Sequence, residues 1–287
     1  MAPVSLIVDT TADIPSEIAR ELGIIVVPAR NAFPDRNFRD DELTPPQFYV
    51  RMRETAGPIS PFGVPQAEYD RAFRTALASG GSVLCLVTPF DVGASLSTAR
   101  ASLAALQDQD IKVLNPGVAS AGLCSLAVVL GSHALAGATK DELLADVDDL
   151  EPLCDTIFVP GDTLWLRRAN RLAAIEQKLG PADNRLPVLR VSTRFTGLAL
   201  ADTFDEALAR AADIAGQRAG KDRPLVVTVD HAVAPDRAEQ AAVLMAERWN
   251  VARTIITELS PTIGSQIGPG AVGIGVAPLT GSVQGGR

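Results

Sequence analysis

The sequence predicts an α/β protein built as two domains, and three observations carry that expectation. Short β-rich apolar runs alternate with helical patterns through the first half, the signature of a parallel sheet covered on both faces. The second half is also α/β, but its strands are joined by short loops compatible with antiparallel pairing. At 287 residues the chain exceeds the usual size of one domain. Its 47% hydrophobic and 21% charged residues are enough to fill two cores.

In the first half, strands are expected over 5–8, 24–27, 82–88 and 111–114. A helix over 15–22 is opened by Asp13 and closed by Gly23. Thr44 followed by Pro45 is an N-cap and first-turn pair for a helix through FYVRMRE. Another helix covers 66–78, with 56–65 as the loop between them. A helix over 94–106 places Leu96, Ala99, Leu103 and Leu106 on one face. The run 117–137 is almost uncharged but contains His133 and many small residues, and it reads as a buried helix rather than a membrane span. TKDE at 139–142 is a capping box that opens the next helix.

The junction falls at the strand over 156–159, so the domains are 1–155 and 156–287. Strands follow over 186–191, 197–201, 224–229, 254–258 and 272–276. Helices start at the TFDE capping box, 203–206, and at Pro235.

Composition narrows the chemistry. A formal net charge of −8 argues against nucleic acid or anionic membrane surfaces as partners. The cluster Arg167, Arg168 and Arg171 reads as a solvated helix face. Cys85, Cys124 and Cys154 are isolated in apolar runs and read as small buried hydrophobes. The start MAPVSLIVDT lacks the charged and apolar regions of a signal peptide, and the expected compartment is the cytoplasm.

Neither GxGxxG after the first strand nor GxxxxGK[ST] occurs, so a nucleotide site is not expected. His133 and His231 lack the companions of a metal site, and no metal or other cofactor is expected. His133 reads as a satisfied helix residue and His231 as a cap or site residue. No GxSxG elbow supports a serine nucleophile. Asp9, at a strand's C-terminal end with Thr11 two residues on, has the position of the nucleophile in Mg²⁺-dependent dehalogenase-type phosphatases. The competing reading has Asp9 and Asp13 capping the turn and the next helix.

Hydroxyls and backbone amides remain as candidates. These are Ser60 in ISPFGVP, Thr88 at a strand end, and Gly93 with Ser95 where a helix begins and its free N–H groups favour an anion. The sharpest local signal is IGSQIGPGAVGIG at 263–275. Gly264, Gly268, Gly270, Gly273 and Gly275 interleave there with apolar residues, which implies a backbone packed tightly against something.

Over nearly its whole length the chain resembles the DegV family of bacterial fatty-acid-binding proteins. The opening IVDTTADIPSEIARELGIIVVPAR is similar to that family's Asp-Ser/Thr-x-Ala-Asp-Leu-Pro start and following strand, and FRDDELTPPQFYVRM to its Tyr-x-Asp stretch and helix. GDTLWLRRANRL resembles a segment ending Gly-Gly-Arg-Ile, with Ala169 and Asn170 at the glycines and Arg171 retained. LPVLRV is similar to its Lys-Pro-Ile-Leu strand without the lysine. PTIGSQIGPGAVGI resembles the Gly-x-His-x-Gly-Pro-Gly-Ala loop, with Gln266 in place of histidine.

The resemblance implies a fatty acid held between two α/β domains and delivered to a separate kinase, with the ATP site on that partner. It implies a ligand site at Ser60, Thr88, Gly93, Ala94, Ser95, Arg171, Gln266 and Gly268. The family's Ser-Gly-Thr helix start corresponds to Val92, Gly93 and Ala94, so two hydroxyls are lost there. A glutamine amide can donate but cannot become cationic as histidine can, so a neutral or weaker head-group clamp is expected. A divergent carrier of another amphipathic ligand is the remaining alternative.

Overall fold

A computed structural model describes residues 4–57, 59–89, 95–106 and 110–280. Strand β1 (Val4–Asp9) passes through a 3₁₀ turn, Thr10–Ala12, and helix α1 (Ser16–Glu21) into β2 (Ile25–Val27). Next come β3 (Arg30–Ala32), β4 (Asn37–Arg39), α2 (Pro45–Glu54) and β5 (Ser60–Gly63). The half continues with α3 (Gln66–Leu77), β6 (Ser82–Leu86), α4 (Ser95–Leu106), β7 (Ile111–Leu114), α5 (Ala121–Leu135) and α6 (Lys140–Leu150). Strands β2-β1-β6-β7 form a parallel sheet in that order.

Side-chain alternation along β1 explains why this sheet is covered on both faces. Leu6 and Val8 pack with α1, α5 and α6 on one side, while Ile7 joins Tyr69, Phe73 and Ala99 of α3 and α4 on the other. The expected helix caps form at Thr44 and Thr139, each a complete capping box. Asp13 does not cap α1, because its carboxyl turns inward to Ser120 and Ser260. Residues 56–65, expected as a loop, include β5, which pairs with β3 in an antiparallel sheet of order β4-β3-β5.

The second half begins at β8 (Asp155–Val159), followed by α7 (Leu164–Arg168), α8 (Leu172–Leu179), β9 (Leu186–Val191) and β10 (Phe195–Ala201). Then come α9 (Phe204–Ala215), β11 (Leu225–His231), α10 (Pro235–Arg248), β12 (Val251–Glu258), α11 (Pro261–Ile267) and β13 (Val272–Pro278). The sheet order is β10-β9-β8-β13-β11-β12, antiparallel throughout except for the β11–β12 pair. Helices α9 and α10 cover one face.

Helix α5 covers part of the other face while also packing on β1, so it lies between the two sheets. That position explains its composition: residues 121 through 131 are all buried, and no side of that stretch is free to be polar except through internal bonds. Ser125 Oγ meets Thr228 Oγ1 at 2.8 Å, and the Gly122 N–H donates to Thr156 Oγ1 at 3.2 Å. The approach is close enough that a Cβ on Gly275 would collide with the backbone of Ala121 and Gly122. Replacing Gly275 by alanine should therefore cost about 3 kcal/mol, the upper part of the range for overpacked cores. Urea unfolding checks this, and an unchanged midpoint would contradict the packing described.

Candidate ligand-binding site

Residues 261–267, expected as part of a glycine-rich loop, are a helix, and every one of them is buried. Pro261 sits in the first turn, where its missing N–H costs nothing. The helix ends where the Gly268 N–H donates to Gly264 O at 2.8 Å. Gly268 has φ +90°, and a Cβ there would strike the Trp165 indole, so both the left-handed backbone and the contact require glycine. Gly264 lies against the Tyr49 hydroxyl, which donates to Leu259 O at 3.2 Å. The expectation of a backbone packed tightly against something is met, with aromatic side chains as what it packs against.

Helical spacing gives α11 two working faces. Ile263 and Ile267 enter an apolar cluster with Phe48, Tyr49, Met52, Phe158, Trp165 and Phe195, drawn from both halves of the chain. Thr262 and Gln266, also four apart, make polar contacts. Gln266 Oε1 accepts from Arg171 Nε at 3.0 Å and Nη2 at 2.8 Å, while its Nε2 donates to Thr262 O at 3.2 Å. The Arg171 guanidinium also lies 4.9 Å from the Phe195 ring centre. The result is a cation and an amide at the border of an aromatic cluster.

Arg171 reaches this position through a turn in which Asn170 has φ +56°. Asparagine tolerates that conformation better than most side chains, which accounts for its place where the resemblance expects glycine. Arg168 donates to Thr55 O at 2.8 Å and Gly57 O at 3.2 Å, and it lies over Trp165. Of the arginine cluster read as a solvated face, only Arg167 is exposed. A small notch of about 10 Å³ lies beside Gly57, Ile59, Trp165, Arg168 and Ser265.

The other expected site residues do not join this pair. Ser60 is exposed in β5, a strand edge adjoining α11. Thr88 and Ser95 belong instead to a buried group around Asp9. There Thr11 donates to Asp9 through its N–H at 3.0 Å and through its hydroxyl, Thr88 bonds the Thr11 hydroxyl, and Ser95 accepts from Val64 N at 3.4 Å. Burial raises the Asp9 carboxyl above its ordinary range, opposed by bonds from Thr11, Ser95 and Thr88. With no exposed surface and these donors in place, Asp9 caps its turn. Gly93 and Ala94, with Val92, lie outside the described residues.

His133 is satisfied, with Nδ1 2.7 Å from Asp146 and Nε2 3.3 Å from Thr280. His231 Nδ1 accepts from Ala234 N at 3.3 Å, a cap. All three cysteines are buried thiols. Among the described residues no cluster of His, Cys, Asp or Glu could hold a metal ion, and no helix is long and apolar enough to cross a membrane.

Sequence reasoning missed a second polar group. Asp40 is buried after β4 and accepts from Thr10 Oγ1 at 2.9 Å, Asn31 Nδ2 at 2.5 Å and Thr262 Oγ1 at 3.0 Å, tying α11 to the first half. FRDDELT offers several adjacent acids, and nothing in their order marks which one turns inward.

Two α/β halves joined through a shared helix, with a cation–amide pair beside an aromatic cluster drawn from both, define an α/β protein with an amphipathic candidate site. The chain belongs to the DegV family: the family profile described as "Uncharacterised protein, DegV family" matches residues 3–279. A DegV domain-containing protein of Streptomyces coelicolor is 25% identical over 279 residues, covering 96% of this chain and 98% of that one. A fatty-acid-binding DegV family protein from Thermus thermophilus superposes with a TM-score of 0.87 at 22% identity, covering 96% and 100% of the two chains. A DegV family protein from Ruminococcus gnavus, its structure refined with vaccenic acid, gives 0.84 at 17% identity, covering 96% and 100%. At these identities the superpositions establish the fold.

Burial pushes Asp40 up to about 6 from the ordinary 3.8, against the bonds from Thr10, Thr262 and Asn31, with the Asp9 charge adding to the rise. A raised folded-state pKa means that the native state binds this proton more tightly than the unfolded chain does. The stability tied to it is present below about pH 4 and is lost as pH rises through about 6, roughly 3 kcal/mol in all. Asp40→Asn should flatten that part of the profile in urea unfolding, and a variant profile as steep as the parent's would contradict it.

Proposed function

We propose that the chain is a non-catalytic binding protein for a long-chain fatty acid, held between halves 1–155 and 156–287. The observation that carries this reading is the Arg171–Gln266 pair at the border of the Phe48, Trp165 and Phe195 cluster. A fatty acid needs donors for a carboxylate and a dry surface for its tail, and here the two adjoin. The guanidinium supplies a forked, permanently charged donor set. Gln266 orients it through Oε1, and Gly268 fixes the end of the helix that carries Gln266. By resemblance Ser60, Thr88, Gly93, Ala94 and Ser95 are further head-group candidates, of which Thr88 and Ser95 are engaged around Asp9.

Burial of the chain at about 0.8 kcal/mol per CH₂ supplies most of the affinity. Fatty-acid binding by the Thermus relative and the vaccenic acid in the Ruminococcus structure support the ligand class. In the same reading the carboxylate is presented to a separate kinase that brings its own nucleotide site. The glutamine at position 266 favours a head-group clamp that stays neutral at that position across the physiological range.

Calorimetry on delipidated protein tests the core of the reading. Acids of roughly C14 to C18 should bind, and Arg171→Ala should weaken them about tenfold or more, as expected when a bond to a charged group is lost. Gln266→His should tighten binding below about pH 6.5, where an imidazolium can face the carboxylate. Absence of binding by the delipidated protein would defeat the fatty-acid reading. Acyl phosphate formed by a fatty acid kinase only when this chain is added would support the handover, and equal yield without it would overturn that part.

A further inference from the structure

The two halves meet at a second polar contact that the lipid reading does not use. Ser120 Oγ lies 2.5 Å from Asp13 Oδ2 and 2.5 Å from Asp230 Oδ2. Asp13 follows the turn after β1, Ser120 precedes α5, and Asp230 belongs to β11. A hydroxyl carries one proton and donates it to one acceptor. Were both carboxyls ionised, one of these contacts would set two oxygens face to face at 2.5 Å with no hydrogen between them. One hydroxyl between two buried carboxyls favours a second proton on one of them.

Besides Ser120 each carboxyl accepts one backbone N–H, and burial with the neighbouring Asp230 charge favours Asp13 as the holder. Asp230 Oδ2 also accepts from the Ala121 N–H at 3.0 Å, which suits the ionised partner. Asp13 Oδ1 accepts from the Ser260 N–H at 2.7 Å, leaving Oδ2 to bear the hydrogen. The chain of donation runs from the Asp13 carboxylic acid to Ser120 Oγ and from the Ser120 hydroxyl to the Asp230 carboxylate. Ser120 is held at φ 54°, ψ −133°, a backbone conformation that non-glycine residues adopt only when their surroundings impose it.

We propose that Asp13, Ser120 and Asp230 share this proton as a positioning device that seats α11, and that its loss on raising the pH loosens the helix. The link is direct, because Ser260 is the residue before α11 and its N–H rests on Asp13. Any consequence for lipid affinity rests on the fatty-acid reading, but the proton does not.

The groups facing the pair are mostly acidic or neutral. Tyr49 of α2 feels the charges of Asp13, Asp230, Glu258 and Asp40, and Cys124 of α5 feels those of Asp13, Asp230 and Arg253. Arg253 is also within 4.0 Å of Glu21. His231 follows Asp230 and is bonded to Ala234 N. Burial and then the Asp230 charge push Asp13 well above the ordinary aspartate range, and burial pushes Asp230 up to about 6. Proton exchange has a route, since a cleft of about 180 Å³ is lined by Asp13, Asp40, Asp41, Thr257, Glu258 and Ser260. A raised folded-state pKa sets the sign: the proton-linked stability is full below the unfolded value of 3.8 and falls as pH rises through the folded midpoint.

The test needs no lipid. Carboxyl-carbon NMR of the full chain should show Asp13 titrating well above 3.8. Titration of both Asp13 and Asp230 at or below 3.8 would overturn the shared proton. Seating of α11 is read from Trp165, which packs on Gly268 at the helix end, by fluorine NMR of fluorotryptophan-labelled protein with the second resonance assigned to Trp249. The Trp165 resonance should move with the Asp13 midpoint.

In Asp13→Asn the amide NH₂ replaces the acid O–H and the amide oxygen still accepts from Ser260, so this variant should fold and lose the part of the Trp165 shift that follows the Asp13 midpoint, while any part carried by Asp40 through Thr262 is removed by adding Asp40→Asn. Asp230→Asn, which removes the charge beside Asp13, should lower the Asp13 midpoint. A Trp165 shift at the Asp13 midpoint that persists unreduced in D13N and in D13N/D40N, or an unchanged Asp13 midpoint in D230N, would overturn the positioning role. Failure of fatty acids to bind would leave both readouts intact, so the two readings fail separately.

Discussion

The architecture depends on α5 being clamped between two sheets. A helix covered on opposite sides has no solvent face, and the chain meets that demand with an unbroken buried run from Ala121 to Gly131. The contact with β13 leaves no room for a Cβ on Gly275, which fixes the distance between the sheets at that point. The polar atoms this requires are matched across the contact by Ser125 with Thr228 and by Gly122 with Thr156. Unmatched, each would carry the cost of a buried polar group without a partner. The second contact between the halves, around α11, is different in kind. It mixes aromatic packing with Asp40, Asp13 and Arg171, and so combines apolar burial with charge in one seam.

Much of the fold was legible in the sequence because its signals are local. The Thr44–Pro45 pair and the capping box at Thr139 place helix starts within one residue of those observed. The alternation in LIVD and the apolar run around Cys85 mark strands that pair as expected in a parallel sheet. The small sheet was not legible. Strands β3 and β4 are three residues each, too short to show a period of two, and β5 contains Pro61 and Gly63, which read as turn residues. Helix α11 was hidden for a related reason: Gly264 lowers intrinsic helix propensity, and tertiary packing against Tyr49 overrides it.

The candidate site was legible only in part. Arg171 and Gln266 came forward through family resemblance, and the structure brings them into contact. Thr88 and Ser95 were assigned to the same site but lie around Asp9, because a hydroxyl at a strand end can serve a ligand or a neighbouring carboxylate equally well. Asp40 with Thr262, and Asp13 with Asp230, join residues far apart in the chain, and no local pattern announces such pairs. Buried acids of this kind are recognised by what surrounds them in three dimensions.

The placement of α5 has a mechanical consequence. A cleft whose two walls are bolted to one helix cannot gape along that side without tearing backbone from backbone at Gly275 and Ala121. The opposite side is closed by the three-stranded sheet and α2, held to the second half by rings such as Phe48 and Tyr49 and by the Arg168 bonds to Thr55 and Gly57. The α5 side thus acts as a fixed spine that keeps the two sheets in register.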